Sequence, residues 1–458
     1  MLDRRRFTFG LTSTAFAGLA LSGCATSGLG SGVEAAGGYG PLVPDPAGLL
    51  DLPRGFSYRI ISKFGDRMDD GHFVPDRADG MGAIRLDDRR VALVRNHELQ
   101  PKHAGTGPFR AAASAGVPAF DRGADGQPLP GGTTTILYDY RSGRVESQHL
   151  SLVGTIRNCA GGTTPWGTWL TCEEDVSKAG KNGLKRDHGW VFEVPAAHRG
   201  IANPVPLTAM GRFNHEAATV DPRTGIVYLT EDQDDSLFYR FLPESRGQLA
   251  RGGRLQALAF RDRALGADSR NWNGVTFPIQ STRDVDWIDM PNPESPEDDL
   301  RTRGHAQGAV LFARGEGIHF GNGELYFCCT NGGAAKLSQI MRYRPSRFEG
   351  QPGEKGEPGK LQLFVESTSE AMLNFGDNIV VAPHGHLIVC EDQYGEVVDN
   401  HLRGITPTGS VYALARLREQ TELAGACFAP DGRTMFVNVY GPGRTLAITG
   451  PWNVFNGG

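Results

Sequence analysis

After its first few residues the chain has no stretch in which lysine and arginine concentrate. A basic stripe is the electrostatic footprint of nucleic-acid binding; with a formal net charge of -5 and no such stripe, that class of partner is excluded. There is no Gly-x-Ser-x-Gly elbow and no evident Ser/His/Asp arrangement, so nucleophilic serine catalysis is unsupported. P-loop and dinucleotide fingerprints and helical heptads are missing too. Phe7–Leu21 is apolar, but it is short for a membrane span and rich in Gly, Ser and Thr. Cysteine is sparse. Besides Cys24 there are six, an even number that permits disulfides in an exported protein. Most of them lie inside apolar runs such as YFCCT, LIVCE and GACFA, where free buried thiols are common.

What the chain does have is glycine, 62 residues, and proline, 28, spread over a length of 458. That composition suits a turn-rich β protein. Six segments repeat one pattern: a small or acidic start, a short apolar strand, a tight turn, and a second apolar strand. They begin near Gly80, Gly161, His215, Gly315, Asp377 and Leu423, and their turns include Gly321-Asn322-Gly323 and Pro430-Asp431-Gly432. Further β-like runs follow the hairpins, for example Leu237–Phe241 and Gln339–Tyr343, and would complete four-stranded blades. The expected fold is therefore all-β, a six-bladed β-propeller with inserted loops. Residues 100–133, 291–304 and 350–360 read as those loops. Residues 1–24 read as an export signal, 25–50 as a flexible tether, and 51–458 as a single propeller domain. The leader carries Arg4-Arg5-Arg6-Phe7, which looks like a twin-arginine signal, and Leu21-Ser22-Gly23-Cys24 resembles a lipoprotein cleavage box. Export to the periplasm or cell surface follows, with a membrane tether if Cys24 is lipidated; the chain is otherwise expected to be monomeric.

In a propeller the innermost strands converge on an axial channel. Their starts bring Glu216, Glu316, Asp377-Asn378 and, just upstream, Glu422 toward one place. Carboxylates crowded in a channel repel one another unless cations neutralise them. A second acidic set ends the second strands: Glu173-Glu174-Asp175, Glu231-Asp232 and Glu391-Asp392. Cys172 lies beside the first of these, and a thiolate there favours a softer transition metal, the ordinary alternative being a packed thiol. The expected metal ligands are Cys172, Glu173, Glu216, Glu316, Asp377, Asn378, Glu391, Asp392 and Glu422. His215 points away from Glu216 along a strand and is expected to be a hydrogen-bonded packer. Asn96 and Glu98 are weaker candidates. Arg314, two residues before Glu316, is placed to orient a phosphate oxygen or simply to pair with Glu316.

The stretches CAGGTTPWGTWLTCEED (159–175), GRFNHEA (211–217), ARGEGI (313–318), NFGDNIVVAP (374–383) and GACFAPDGRTMFVNV (425–439) together resemble the PhoX-type alkaline phosphatase family. The resemblance implies a six-bladed propeller that hydrolyses small-molecule phosphate monoesters at a cluster of ferric iron and calcium. It implies that Cys172, Glu216, Glu316 and Glu422 are cluster ligands, that Asp377 and Asn378 belong to a calcium site, and that Arg314 contacts phosphate. The chain departs from the family pattern at Arg314-Gly315-Glu316, at Asn374-Phe375-Gly376-Asp377 and at Glu422-Leu423-Ala424-Gly425. The rival readings are a calcium-dependent lactonase or phosphodiesterase-type propeller, and a non-catalytic binding propeller on the cell surface.

Overall fold

A computed structural model describes residues 38–109, 114, 116–263 and 265–455. The expected signal peptide, Cys24 and the first part of the expected tether lie outside these residues. The described chain is built almost wholly from antiparallel strands in five sheets. The first has four strands, Ala78–Arg85, Arg90–His97, Gly131–Asp139 and Arg144–Thr155. The second has three, Asn158–Thr163, Thr168–Glu173 and Val191–Pro195, and Pro206 bridges onto Phe192 at its outer edge. The third has nine strands and joins two meanders edge to edge where Thr282–Asp289 pairs with Lys360–Glu366. One meander begins at His215–Val220 and the other at Gly315–Gly321. The fourth sheet begins at Gly376–Val381 and ends in the N-terminal strands Leu50–Pro53 and Leu42–Val43. The fifth holds Leu423–Phe428, Thr434–Val439 and Arg444–Thr449, and Ser57–Lys63 from near the other end of the chain completes it.

The six strands that begin these meanders touch one another in a closed cycle: Ala78–Arg85, Asn158–Thr163, His215–Val220, Gly315–Gly321, Gly376–Val381, Leu423–Phe428, and back to the first. The arrangement is propeller-like, and the cycle explains the abundance of glycine. Strands that meet at an axis have no room for side chains between them. A Cβ on Gly162 would lie 1.8 Å from the carbonyl oxygen of Ala218, and one on Gly80 would lie 2.5 Å from Cα of Ala160.

Residues 38–50, read from the sequence as tether, pack onto the domain instead. Tyr39 is buried against Phe56, Tyr412 and Trp452, and the Asp45 carboxylate accepts from the backbone of Leu49 and Leu50 and from the Tyr58 hydroxyl. The 291–304 loop runs into the single α-helix among the described residues, Leu300–Ala306. The six cysteines among the described residues are all free and buried, so none of them is paired in a disulfide.

Apolar residues between the sheets form the core. One aromatic knot joins the two halves of the nine-stranded sheet: Phe238 stacks on Phe327 at 4.5 Å and meets Phe312, Trp287 and Tyr343. Phe238→Ala removes the ring at the centre of this knot. It is expected to lower unfolding free energy by about 3–5 kcal/mol, read by urea denaturation.

Candidate metal centre

Each of the six innermost strands carries one β-bulge at its start. The pairing with its neighbour slips between Ala78 and Met81, Asn158 and Gly161, His215 and Ala218, Gly315 and Ile318, Gly376 and Ile379, and Ala424 and Cys427. A bulge re-aims a side chain that a regular pleat would send elsewhere. The residue just inside each slip is Asp79, Cys159, Glu216, Glu316, Asp377 and, in the last strand, Gly425. Five of the six are acidic or a thiol, and in the sixth unit the acid is Glu422, just before the strand. A second contribution comes from residues just beyond the second strands, Glu98, Glu174, Asp232 and Asp392.

These side chains meet. Ligand atoms of Cys159, Glu174 and Glu216 lie within 4.8 Å of one another, as do those of Glu216, Glu316 and Asp377, and those of Asp377, Asp392 and Glu422. Glu216 and Asp377 are shared, so the three groups form one continuous run. Asp79 joins it by accepting from the Cys159 thiol at 3.6 Å. Burial raises the pKa of Glu216, Glu316, Glu174, Asp79 and Glu422 well above the usual carboxylate range, and neighbouring acids add to the effect. Asp377 is pushed up to about 7, by burial first and then by Asp392. Burial and then Asp79 raise the Cys159 thiol.

Glu216 decides what this arrangement is for. It is fully buried, and neither of its carboxylate oxygens has a hydrogen-bond partner. Buried acceptors are almost always satisfied, and leaving one bare costs about 1–3 kcal/mol. Two bare oxygens at the junction of two acidic groups fit a bound cation, which would satisfy them and offset the repulsion among the neighbours.

Arginines rim the run. Arg157 pairs with Glu98 at 2.7 Å and with Glu174, and Arg314 pairs with Asp232 at 2.6 Å and Glu316 at 2.8 Å. Burial alone would raise Glu98, but Arg157 and the Tyr440 hydroxyl outweigh it and hold this carboxylate low. Arg77, Arg157 and Arg314 each stand immediately before an innermost strand in the left-handed region, at φ of 53°, 47° and 53°. Such values are uncommon for non-glycine residues and recur at functional sites.

The sequence model of the alkaline phosphatase PhoX family matches residues 37–443. The chain belongs to this family. It is accordingly a metal-dependent phosphatase of phosphate monoesters. Among solved structures it is similar to Pseudomonas fluorescens PhoX in complex with vanadate, a transition state analogue: 19% identity, TM-score 0.64, covering 88% of this chain and 96% of that one. A gluconolactonase from Xanthomonas campestris aligns at 12% identity and TM-score 0.40, covering 90% of this chain and 98% of that one. A putative 6-phosphogluconolactonase from Bacteroides uniformis aligns at 10% and 0.37, covering 84% and 88%. Both scores are too low to argue from. No curated protein matches the chain.

Of the expected ligands, Glu216, Glu316, Asp377, Asp392 and Glu422 come together in the run. Asn378 stands beside it as a brace: its amide donates to Asp377 at 3.0 Å, and its carbonyl oxygen accepts from the backbone of Gly425 on the next strand. Cys172 is elsewhere. It lies fully buried in an apolar cluster with Leu170, Val191, Met210 and Phe213, and the sulfur at the run is that of Cys159.

Glu173 and Glu391 are also displaced from the run. Glu173 accepts from the backbone of Ile156, Gly189 and Trp190 and pairs with His188 at 2.7 Å; Glu391 accepts from Asn374, His401 and Arg403. Side chains alternate along a strand, so the last strand residue braces the loop while the next one reaches the axis. Hence Glu174 and Asp392 reach the run, and Glu173 and Glu391 do not. His215 packs as expected, stacked on Phe213 and bonded to the Gly211 carbonyl at 2.9 Å. Arg314 does pair with Glu316. Asp79, Cys159, Glu174 and Asp232 were missed as individual choices. Aligning the six units one or two residues upstream of their first glycine would have exposed Asp79 and Cys159.

Two predictions follow from this geometry. With metal chelated, Glu216→Gln is expected to melt above wild type, by about 1–3 kcal/mol in stability, because the amide can donate to the surrounding acids. Restoring the metal should reverse the order, and differential scanning fluorimetry with and without chelator reads both. His188 is buried between Glu173 and Asp121, 2.7 and 3.3 Å away. Burial lowers its pKa, but the two acids outweigh this and raise it from 6.5 to about 9. The pairing therefore stabilises the fold fully below pH 6.5, and the contribution is lost as pH rises through about 9. His188→Gln should remove that part of the pH dependence in denaturation curves taken between these limits.

Proposed function

We propose that the acidic run holds iron and calcium and that phosphate monoesters are hydrolysed above it. The bare oxygens of Glu216, shared by two of the three groups, carry the reading. Donor chemistry divides the run. Cys159 with Glu174 and Glu216 offers one soft sulfur among oxygens, which suits iron; Asp377, Asp392 and Glu422 offer oxygen alone, which suits calcium. Bound there, the cations would supply Lewis acidity toward a phosphoryl oxygen.

The chain's own residues bind and orient. Arg314 is anchored through Nε and Nη2 by Asp232 and Glu316, keeps 18% of its side chain exposed, and has Nη1 left to donate to a phosphate oxygen. A guanidinium fixed in this way matches phosphate geometry and offsets charge on the equatorial oxygens. Arg157, braced by Glu98 and Glu174 and equally exposed, stands at the equivalent place two units away and would hold the ester from another side. The closed cycle of first strands supports six blades, with the nine-stranded sheet counted as two joined at their edges. The leader motif supports twin-arginine export to the periplasm or cell surface, and lipidation of Cys24 would supply a tether.

The test is paired thiol variants. Cys159→Ala, purified from native-type expression, should lose most of its iron by elemental analysis and fall by on the order of 100-fold or more in p-nitrophenyl phosphate hydrolysis. Cys172→Ala should keep its iron and most of its activity. The reverse pattern would overturn the assignment of the sulfur, and iron-free active wild-type protein would overturn iron itself.

A further inference from the structure

Tyr394 is among the most exposed aromatic side chains described, at 60%, yet it is fixed at the rim of the acidic run. It stands on the loop between Leu387–Glu391 and His401–Ile405. Its hydroxyl is 3.3 Å from Nη2 of Arg314, and the Arg314 guanidinium carbon is 5.5 Å from the ring centre. The ring meets Phe375 edge-on, at 5.4 Å and 86°.

The surroundings hold this ring in place and leave it open. Gln393 closes the loop by accepting from the Asp399 backbone and donating to its carbonyl, and Asn400 accepts from the Gln393 backbone. Phe375 sits at φ 53°, a left-handed conformation that is a genuine outlier for a bulky side chain and costs about 1–3 kcal/mol. It is kept there by backbone bonds to Leu337 and from Asp392. Glycine or asparagine would take that turn at less cost, so what the strained position retains is an aromatic ring beside Tyr394.

Resting on the phosphatase reading above, we propose that Tyr394, backed by Phe375, is the wall against which the ester's leaving group lies, and that it biases the site toward phosphomonoesters of flat, aromatic alcohols. A phosphoryl group gripped by Arg314 has the acidic run on its buried side, so its ester oxygen faces outward. A ring attached to that oxygen would lie on the Tyr394 side, where aromatic pairs attract at centroid separations of about 4.5–7 Å. An aliphatic leaving group has no comparable face to offer. Tyr394 is thus a specificity residue: the phosphoryl group is held by other side chains.

The experiment compares competitive inhibition by phenylphosphonate and methylphosphonate on the metal-loaded protein. Wild type should bind phenylphosphonate the more tightly. Tyr394→Ala should lower that preference by about 3- to 10-fold, whereas Tyr394→Phe, which keeps the ring and loses the hydroxyl, should retain it. A preference unchanged in Tyr394→Ala, or lost equally in Tyr394→Phe, would overturn the wall. A wild-type protein that binds neither phosphonate and turns over no phosphate ester would overturn the phosphatase reading, and the wall with it.

Discussion

Repulsion among buried carboxylates is the constraint around which this protein is organised. Asp79, Glu174, Glu216, Glu316, Asp377, Asp392 and Glu422 share one region at the axis, and burial works against ionising Asp79, Glu174, Glu216, Glu316, Asp377 and Glu422. A fold gains nothing from such a concentration by itself. The sheets, the bulges and the arginine rim make sense as the apparatus that holds like charges together until cations relieve them.

The apparatus is repetitive. One structural unit, an innermost strand with a bulge at its start, is used six times; five uses send a side chain to the axis from the bulge, and in the sixth, with Gly425 at the bulge, Glu422 reaches it from just before the strand. Changing the residue at that place changes the ligand and leaves the sheet alone: aspartate at 79, a thiol at 159, glutamate at 216 and 316. The rim repeats as well, with an arginine before three of the strands. Before a fourth strand the same left-handed turn is taken by Phe375, and there the rim acquires an apolar face next to a cationic one. A common scaffold thus carries a graded set of donors and two kinds of outer wall.

Much of this was legible in the sequence. Recurrent hairpins with small starts gave the all-β, propeller-like architecture, and five of the proposed ligands are in the run. The differences between expected and observed placement share one cause. Choosing between Glu173 and Glu174, or between Cys172 and Cys159, depends on the phase of a strand to within one residue, and a bulge shifts that phase without leaving a mark in local composition. Cys172 was persuasive because three acids follow it, but those acids point in alternating directions and the thiol faces Leu170, Met210 and Phe213. The packed segment 38–50 was missed for another reason: its glycine and proline content resembles a linker, while the aromatic pocket that receives Tyr39 is assembled from the far end of the chain.

Anomalous diffraction from crystals of the metal-loaded protein, collected on either side of the iron absorption edge, tests the central claim most directly. The account predicts an iron peak within bonding distance of the Cys159 sulfur and a Glu216 oxygen, with lighter cations beside Asp377, Asp392 and Glu422. A Glu216 carboxylate satisfied by protein or water alone, with no cation bound to it, would contradict the account.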